Sequence, residues 1–178
     1  VDQQHDVHVV YQTSGSIAVA DDDAIRYLDF VQDYEDIYDD TIKQGSDRFR
    51  ETLEFYRNKK KDTIEPRELL ELKAAIRRGE ARASCRYIGL PEENVHFLNL
   101  PFYETGTVKK KPAGEEDIQL TMDFLRSIKP HQIYAAGDLS DPHGTHRVCI
   151  DIILEALDRM KDEPWMDDCR VWLYRGAW

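Results

Sequence analysis

What most constrains this chain is an alternation of two periodicities from about residue 66 onward. Short β-branched or apolar runs read as strands. Between them lie longer stretches whose apolar residues recur every three or four positions and read as helices. Pro66 suits the first position of a long helix, and Leu69, Leu72, Ala75, Ile76, Ala83 and Tyr87 give that helix an apolar side. Gly79 lies inside it, and Gly89 is its expected stop. A strand follows at Val95–Leu100, then a helix carrying Ile118, Met122, Leu125 and Ile128, closed by Pro130. A strand at Gln132–Ala136, a helix carrying Val148, Ile152, Ala156 and Met160, and a strand at Val171–Tyr174 complete the series. Strands separated by helices join through crossovers, so the pattern predicts an α/β fold: a mainly parallel sheet with helices on its faces.

Before residue 66 the pattern differs. Val7–Tyr11 reads as a strand, and Thr13-Ser14-Gly15-Ser16 as the turn that ends it. Asp21-Asp22-Asp23 opens a helical stretch, where carboxylates suit the positive end of the helix dipole. They read as solvated caps, with a cation site as the alternative. Residues 21–65 are expected to form a helical insertion on one edge of the α/β core. Lys59-Lys60-Lys61 reads as a solvated loop, with a phosphate contact as the alternative. Val108–Gly114 reads as a polar excursion.

With 178 residues the chain suits a single domain whose core needs no disulfide staples. Its net charge of −11 argues against a nucleic-acid-coating surface or a polybasic membrane patch, though not against a small local anion site. No run of eighteen apolar residues occurs, which predicts no membrane span. Cys85, Cys149 and Cys169 are widely spaced and odd in number; they read as reduced thiols of a cytoplasmic protein. Both ends are abrupt: Val1-Asp2-Gln3-Gln4 runs almost at once into an apolar stretch, and Arg175-Gly176-Ala177-Trp178 follows another. Domains usually end in polar, frayed segments, so a piece of a longer protein is expected.

The most informative run is Gly137-Asp138-Leu139-Ser140-Asp141-Pro142-His143-Gly144-Thr145-His146-Arg147. It follows a strand and precedes a helix, and loops at the carboxyl ends of strands form the functional crevice of open α/β sheets. Two histidines three residues apart, beside two aspartates, suit a metal site or acid–base chemistry there. Histidines that only cap the following helix are the plain alternative.

With its flanks from Tyr134, this run resembles the PIG-L/LmbE-like family of zinc-dependent N-deacetylases. His143-Gly144-Thr145-His146 stands where that family has a late His-x-x-His motif. Tyr11–Gly15 resembles the family's second strand and its turn. Arg77–Ala81 with Tyr87–Leu90 resembles its Arg-x-x-Glu…Leu-Gly helix, and Phe97–Pro101 and Val171–Tyr174 resemble later strands. The wording Asp-Leu-Ser-Asp-Pro-His-Gly-Thr-His is closest to PIG-L-type domains joined, in some bacteria, to a glucosamine-6-phosphate deaminase-like domain.

The resemblance implies a Rossmann-like three-layer α/β domain over residues 1–178, and removal of an N-acetyl group from an amino-sugar derivative. His146 matches a zinc ligand. His143 matches the histidine that stabilises the oxyanion or protonates the leaving amine. Asp141 or Asp138 would orient these imidazoles. Arg77, and less surely Arg78, falls near a substrate-holding arginine; a solvated helix face is the alternative for both. Two departures matter. Thr145 stands where the family usually has Asp. The family's early His-Pro-Asp-Asp/Glu motif, which supplies the remaining zinc ligands and the base, does not occur; His5-Asp6 and Asp21-Asp22-Asp23 are the nearest by order and lie in the wrong context. The sheet is therefore expected to lack its first strand, and these residues alone to be inactive. The rival readings are a deaminase-associated domain and a non-catalytic sugar-phosphate-binding domain. The expected partners are a small amino sugar, a covalent neighbour domain or a second copy, with no nucleic acid and no membrane.

Overall fold

The computed structural model describes residues 5–38, 43–60, 63–137 and 144–175. The chain divides into two compact units. One spans residues 15–92; the other joins residues 5–14 to those from 93 onward.

The first unit is helical. A short 3-10 turn at Ser16–Ala18 leads into α1 (Asp21–Tyr38), followed by α2 (Lys43–Asn58) and α3 (Arg67–Tyr87). Val19, Ala24, Tyr56, Leu69 and Ile76 form its core, with Ile25, Leu28 and Phe55 packed against them. Its polar centre is enclosed at Lys73 and Glu65 and reaches solvent at Asp21. Lys73 is 3% exposed and Glu65 is buried beside it, and Lys73 Nζ donates to Asp21 Oδ1 and Glu65 Oε1 at 2.6 Å each. Lys59 Nζ reaches Asp21 Oδ2 at 2.9 Å and also donates to Glu65. Two cations and two carboxylates thus neutralise one another, the condition under which buried charge is tolerated. Asp21 and Lys59 are accordingly not the solvated cap and solvated loop residue their sequence context suggests.

The second unit is α/β, and among the described residues each of its two strand pairs is parallel. β1 (Val9–Tyr11) pairs with β2 (Val95–Phe97), Val10 opposite His96. β3 (Gln132–Ala136) pairs with β4 (Arg170–Tyr174), Tyr134 opposite Trp172. Among the described residues these are two separate two-stranded sheets. The α4 helix (Glu115–Ile128) buries Ile118, Met122 and Leu125; α5 (Thr145–Met160) buries Ile152, Ala156 and Met160, faces the sequence periodicity predicts. The two helices pack on each other and α5 packs on β3, where Ala135 is buried. Paired residues of a parallel ladder share a face. Tyr134, Trp172 and Tyr174 therefore line the face opposite Ala135, and each is more than half exposed.

Candidate functional site

The carboxyl ends of the strands carry the candidate site, and local geometry shows how they are held. At the end of β1, Gln12 Nε2 donates to the Cys149 carbonyl in the first turns of α5, 3.2 Å away. At the end of β3, Gly137 N donates to Tyr174 O at 2.9 Å. A Cβ on Gly137 would lie 2.8 Å from Leu173 Cβ, so only glycine lets the chain leave β3 at this point. Gly144 adopts a φ of 75° immediately before α5, a left-handed conformation that glycine accepts without strain. Thr145 then begins α5, and His146 falls in its first turn. His146 is half-buried, with Nδ1 shut away from solvent. Asp138, Asp141 and His143 lie outside the described residues.

The loop after β2 is tightly held. Phe102 is buried, and its backbone N–H donates to Asp117 Oδ1 at 2.9 Å. Asp117 Oδ2 accepts from Gly114 N at 2.8 Å, so one buried carboxylate ties this loop to the start of α4. Lys110 Nζ sits 3.6 Å from the centre of the buried Tyr103 ring and donates to Thr107 O. Burial pushes the Lys110 ammonium below its usual range, against the opposing pull of Glu104. The Lys109-Lys110-Lys111 run alone does not distinguish Lys110 from its neighbours; the aromatic platform comes from Tyr103, seven residues earlier.

The two candidate arginines belong to the first unit. Arg77 is half-exposed and forms an ion pair with Glu80 one turn along α3. Its side chain lies against Gly15, whose φ is 68° and where a Cβ would meet Arg77 Cγ and Nε at 3.3 Å. The turn predicted from Thr13-Ser14-Gly15 thus rests on the guanidinium stem. Arg78 lies 3.7 Å from Glu71.

A catalytic zinc needs about three protein ligands and an open position. His146 is one donor of the right kind. Among the described residues no three His, Cys, Asp or Glu side chains gather where they would hold a metal. These residues by themselves therefore do not make a zinc site.

The PIG-L family, described as GlcNAc-PI de-N-acetylase, matches residues 1–157, and the chain belongs to that family. A glucosamine-6-phosphate deaminase-like protein of Bacteroides thetaiotaomicron is 47% identical over 181 residues. That alignment covers all of this chain and 27% of the relative, so the chain spans about a quarter of the length of the curated relative it matches. No solved structure matches. The family is one of deacetylase-type hydrolases. Among the described residues no helix is long and apolar enough to cross a membrane.

Proposed function

We propose that this chain is part of a zinc-dependent hydrolase that removes an N-acetyl group from an amino-sugar derivative in the cytoplasm. The observation that carries this reading is the match to a de-N-acetylase family over residues 1–157, together with His146 in the first turn of the helix after β3. In this reading His146 is one zinc ligand, and the other ligands come from outside the described residues. Bound zinc would supply charge stabilisation for amide hydrolysis. His143 would hold the amide oxygen as it gains charge, or give a proton to the leaving amine. Asp141 or Asp138 would fix the imidazole tautomer, and Arg77 or Arg78 would hold the substrate's polar groups.

The finer fold belongs to the same proposal. Residues 1–178 would form one Rossmann-like domain with a helical insertion at 21–65. The β1–β2 and β3–β4 ladders would be halves of one sheet, with a further parallel strand between β1 and β3. Three features of the second unit support this: α4 and α5 pack together, Gln12 after β1 reaches α5, and α5 packs on β3. The exposed Tyr134, Trp172 and Tyr174 face would then be interior, since parallel sheets are covered on both sides.

The test is acetate release from N-acetylglucosamine derivatives by the complete polypeptide and by residues 1–178 alone. Activity with one zinc per complete chain, both abolished by His146→Ala, is the expected result. The 178 residues alone should be inactive even with zinc, because no carboxylate base of the family pattern occurs in them. A complete polypeptide that neither binds zinc nor releases acetate would sink the hydrolase reading. Ammonia release from glucosamine 6-phosphate by these residues would favour the deaminase reading, which rests on the relative's name.

A further inference from the structure

At the amino end of the β1–β2 sheet, away from the candidate site, two half-buried imidazoles meet end to end. His8 precedes β1 and His96 lies in the middle of β2. Val10 is opposite His96, and His8 shares the face of Val10, so both rings project to one side. His8 Nδ1 and His96 Nε2 are 2.9 Å apart, a hydrogen bond that joins the two strands through their side chains. The far nitrogen of His8, Nε2, lies 3.4 Å from Asp6 Oδ1. Asn94 Nδ2 donates to that same Asp6 oxygen at 3.1 Å and to Val7 O at 2.9 Å. From α4, Phe124 packs on the His96 ring. Among the described residues Asp6 is the one charged side chain that touches either imidazole.

A nitrogen–nitrogen hydrogen bond needs one N–H and one lone pair. The neutral pair has both: Asp6 holds a proton on His8 Nε2, His8 Nδ1 keeps its lone pair, and His96 donates its Nε2–H. One added proton is tolerated. His8 then carries N–H on both nitrogens, Asp6 compensates the charge, and His96 moves its own proton to Nδ1 and accepts through Nε2. A second added proton is not tolerated. Both facing nitrogens then bear hydrogen, and two positive rings are in contact. Asp6 lies on the far side of His8 and does not compensate the charge on His96. Burial, and then the charge of His8, hold His96 below the ordinary imidazole value of 6.5. A released His96 thus takes its proton at a higher pH than the paired one. The contact weakens as pH falls through the ordinary value and is lost below the lowered one.

We propose that the His8–His96 pair is a pH-sensitive clasp, which closes the amino end of the β1–β2 sheet while at most one ring is charged and opens when both are. At the other end of β1, Tyr11 O and Gln12 O accept from Leu98 N and Leu100 N at 2.9 and 2.8 Å, bonds without a titratable group. Opening therefore starts at the amino end.

The experiment is amide hydrogen exchange of the chain at about pH 7.5 and about pH 5, either side of the ordinary imidazole value, each expressed as protection relative to the intrinsic rate at that pH. Protection of the β1 and β2 amides should fall severalfold at the lower pH. Gly137 N, bonded to Tyr174 O in the other sheet, should keep its protection. His96→Gln supplies an amide that donates to neutral His8 or, turned over, accepts from charged His8, and never becomes charged. It should abolish the pH response. Unchanged protection in the unaltered protein, or the same fall in His96→Gln, overturns the proposal. Should the variant fail to fold, the imidazole 15N shifts of the unaltered protein decide. His96 protonating after His8 and below 6.5 is expected; His96 protonating first, or together with His8, overturns the clasp.

Discussion

Lys73 Nζ lies 2.6 Å from Glu65 Oε1, with both side chains almost fully removed from water. Lys59 and Asp21 complete the group, and Tyr56 Oη donates to the second Glu65 oxygen at 3.5 Å. A buried pair broken on one side leaves a charge without compensation, which costs more than the intact pair contributes. Lys73→Met should therefore destabilise the helical unit by about 3–5 kcal/mol, read from urea denaturation. Loss of less than about 1 kcal/mol would show that water reaches the remaining carboxylates.

The same group sets a pH dependence. Burial alone would raise the Asp21 carboxyl, but hydrogen bonds and charge from Lys73 and Lys59 outweigh it, and its pKa falls below the ordinary 3.8. That stabilisation is complete above the ordinary carboxylate range and is lost as pH falls through the lowered value. Burial would lower Lys59, but Glu65 and Asp21 outweigh it and raise its pKa above 10.5. That contribution is complete below the ordinary lysine value and is lost as pH rises through the raised one. The urea midpoint of the helical unit should thus be flat between these limits and fall at both. Asp21→Asn should flatten the acid limb; an unchanged acid limb would exclude this cause.

Two glycines should respond in opposite senses to alanine. Gly79 sits inside α3 with nothing near the position of a Cβ, so Gly79→Ala should stabilise by about 1 kcal/mol through helix propensity alone. Gly15 has a φ of 68° and its Cβ would press on Arg77, so Gly15→Ala should cost about 1–2 kcal/mol. Thermal melts of the two variants check the pair, and shifts of the same sign would refute it.

Asp117 is a further weak point. Asp117→Ala would strand the buried Phe102 N–H, at about 1–3 kcal/mol, whereas the N–H of the exposed Gly114 can turn to water. Asp117→Asn keeps one acceptor and should lose less. Amide hydrogen exchange at Phe102 should quicken more in the alanine variant than in the asparagine one.

Much of the second unit was readable from periodicity. The expected strand at Gln132–Ala136 is β3 residue for residue, and the predicted apolar faces of α4 and α5 are largely those buried. The buried face of α3 differs from the one its apolar spacing predicts. Tyr87 is 92% exposed and Ala75 and Ala83 face solvent, while Lys73, Ala74, Ala81 and Cys85 are buried. A hydrophobic pattern has no way to place a lysine inside, because its carboxylate partners lie outside the helix, Asp21 far back in the sequence and Glu65 in the segment just before α3. The role of Asp117 is not legible in the sequence for a similar reason: a carboxylate in the first turn of a helix usually reads as dipole compensation. Its second role, holding Phe102, appears only once the loop after β2 folds back.

By itself the sequence determined the alternation of strand and helix, the family, and the helix start that carries His146. These follow from spacing along a local stretch of chain, where side-chain period and turn chemistry suffice. The tertiary structure alone decided which charges are buried together, that Gly137 must let Leu173 approach, and that His8 and His96 meet 2.9 Å apart. Those outcomes depend on pairings between distant residues, whose energies arise only when folding removes both partners from water.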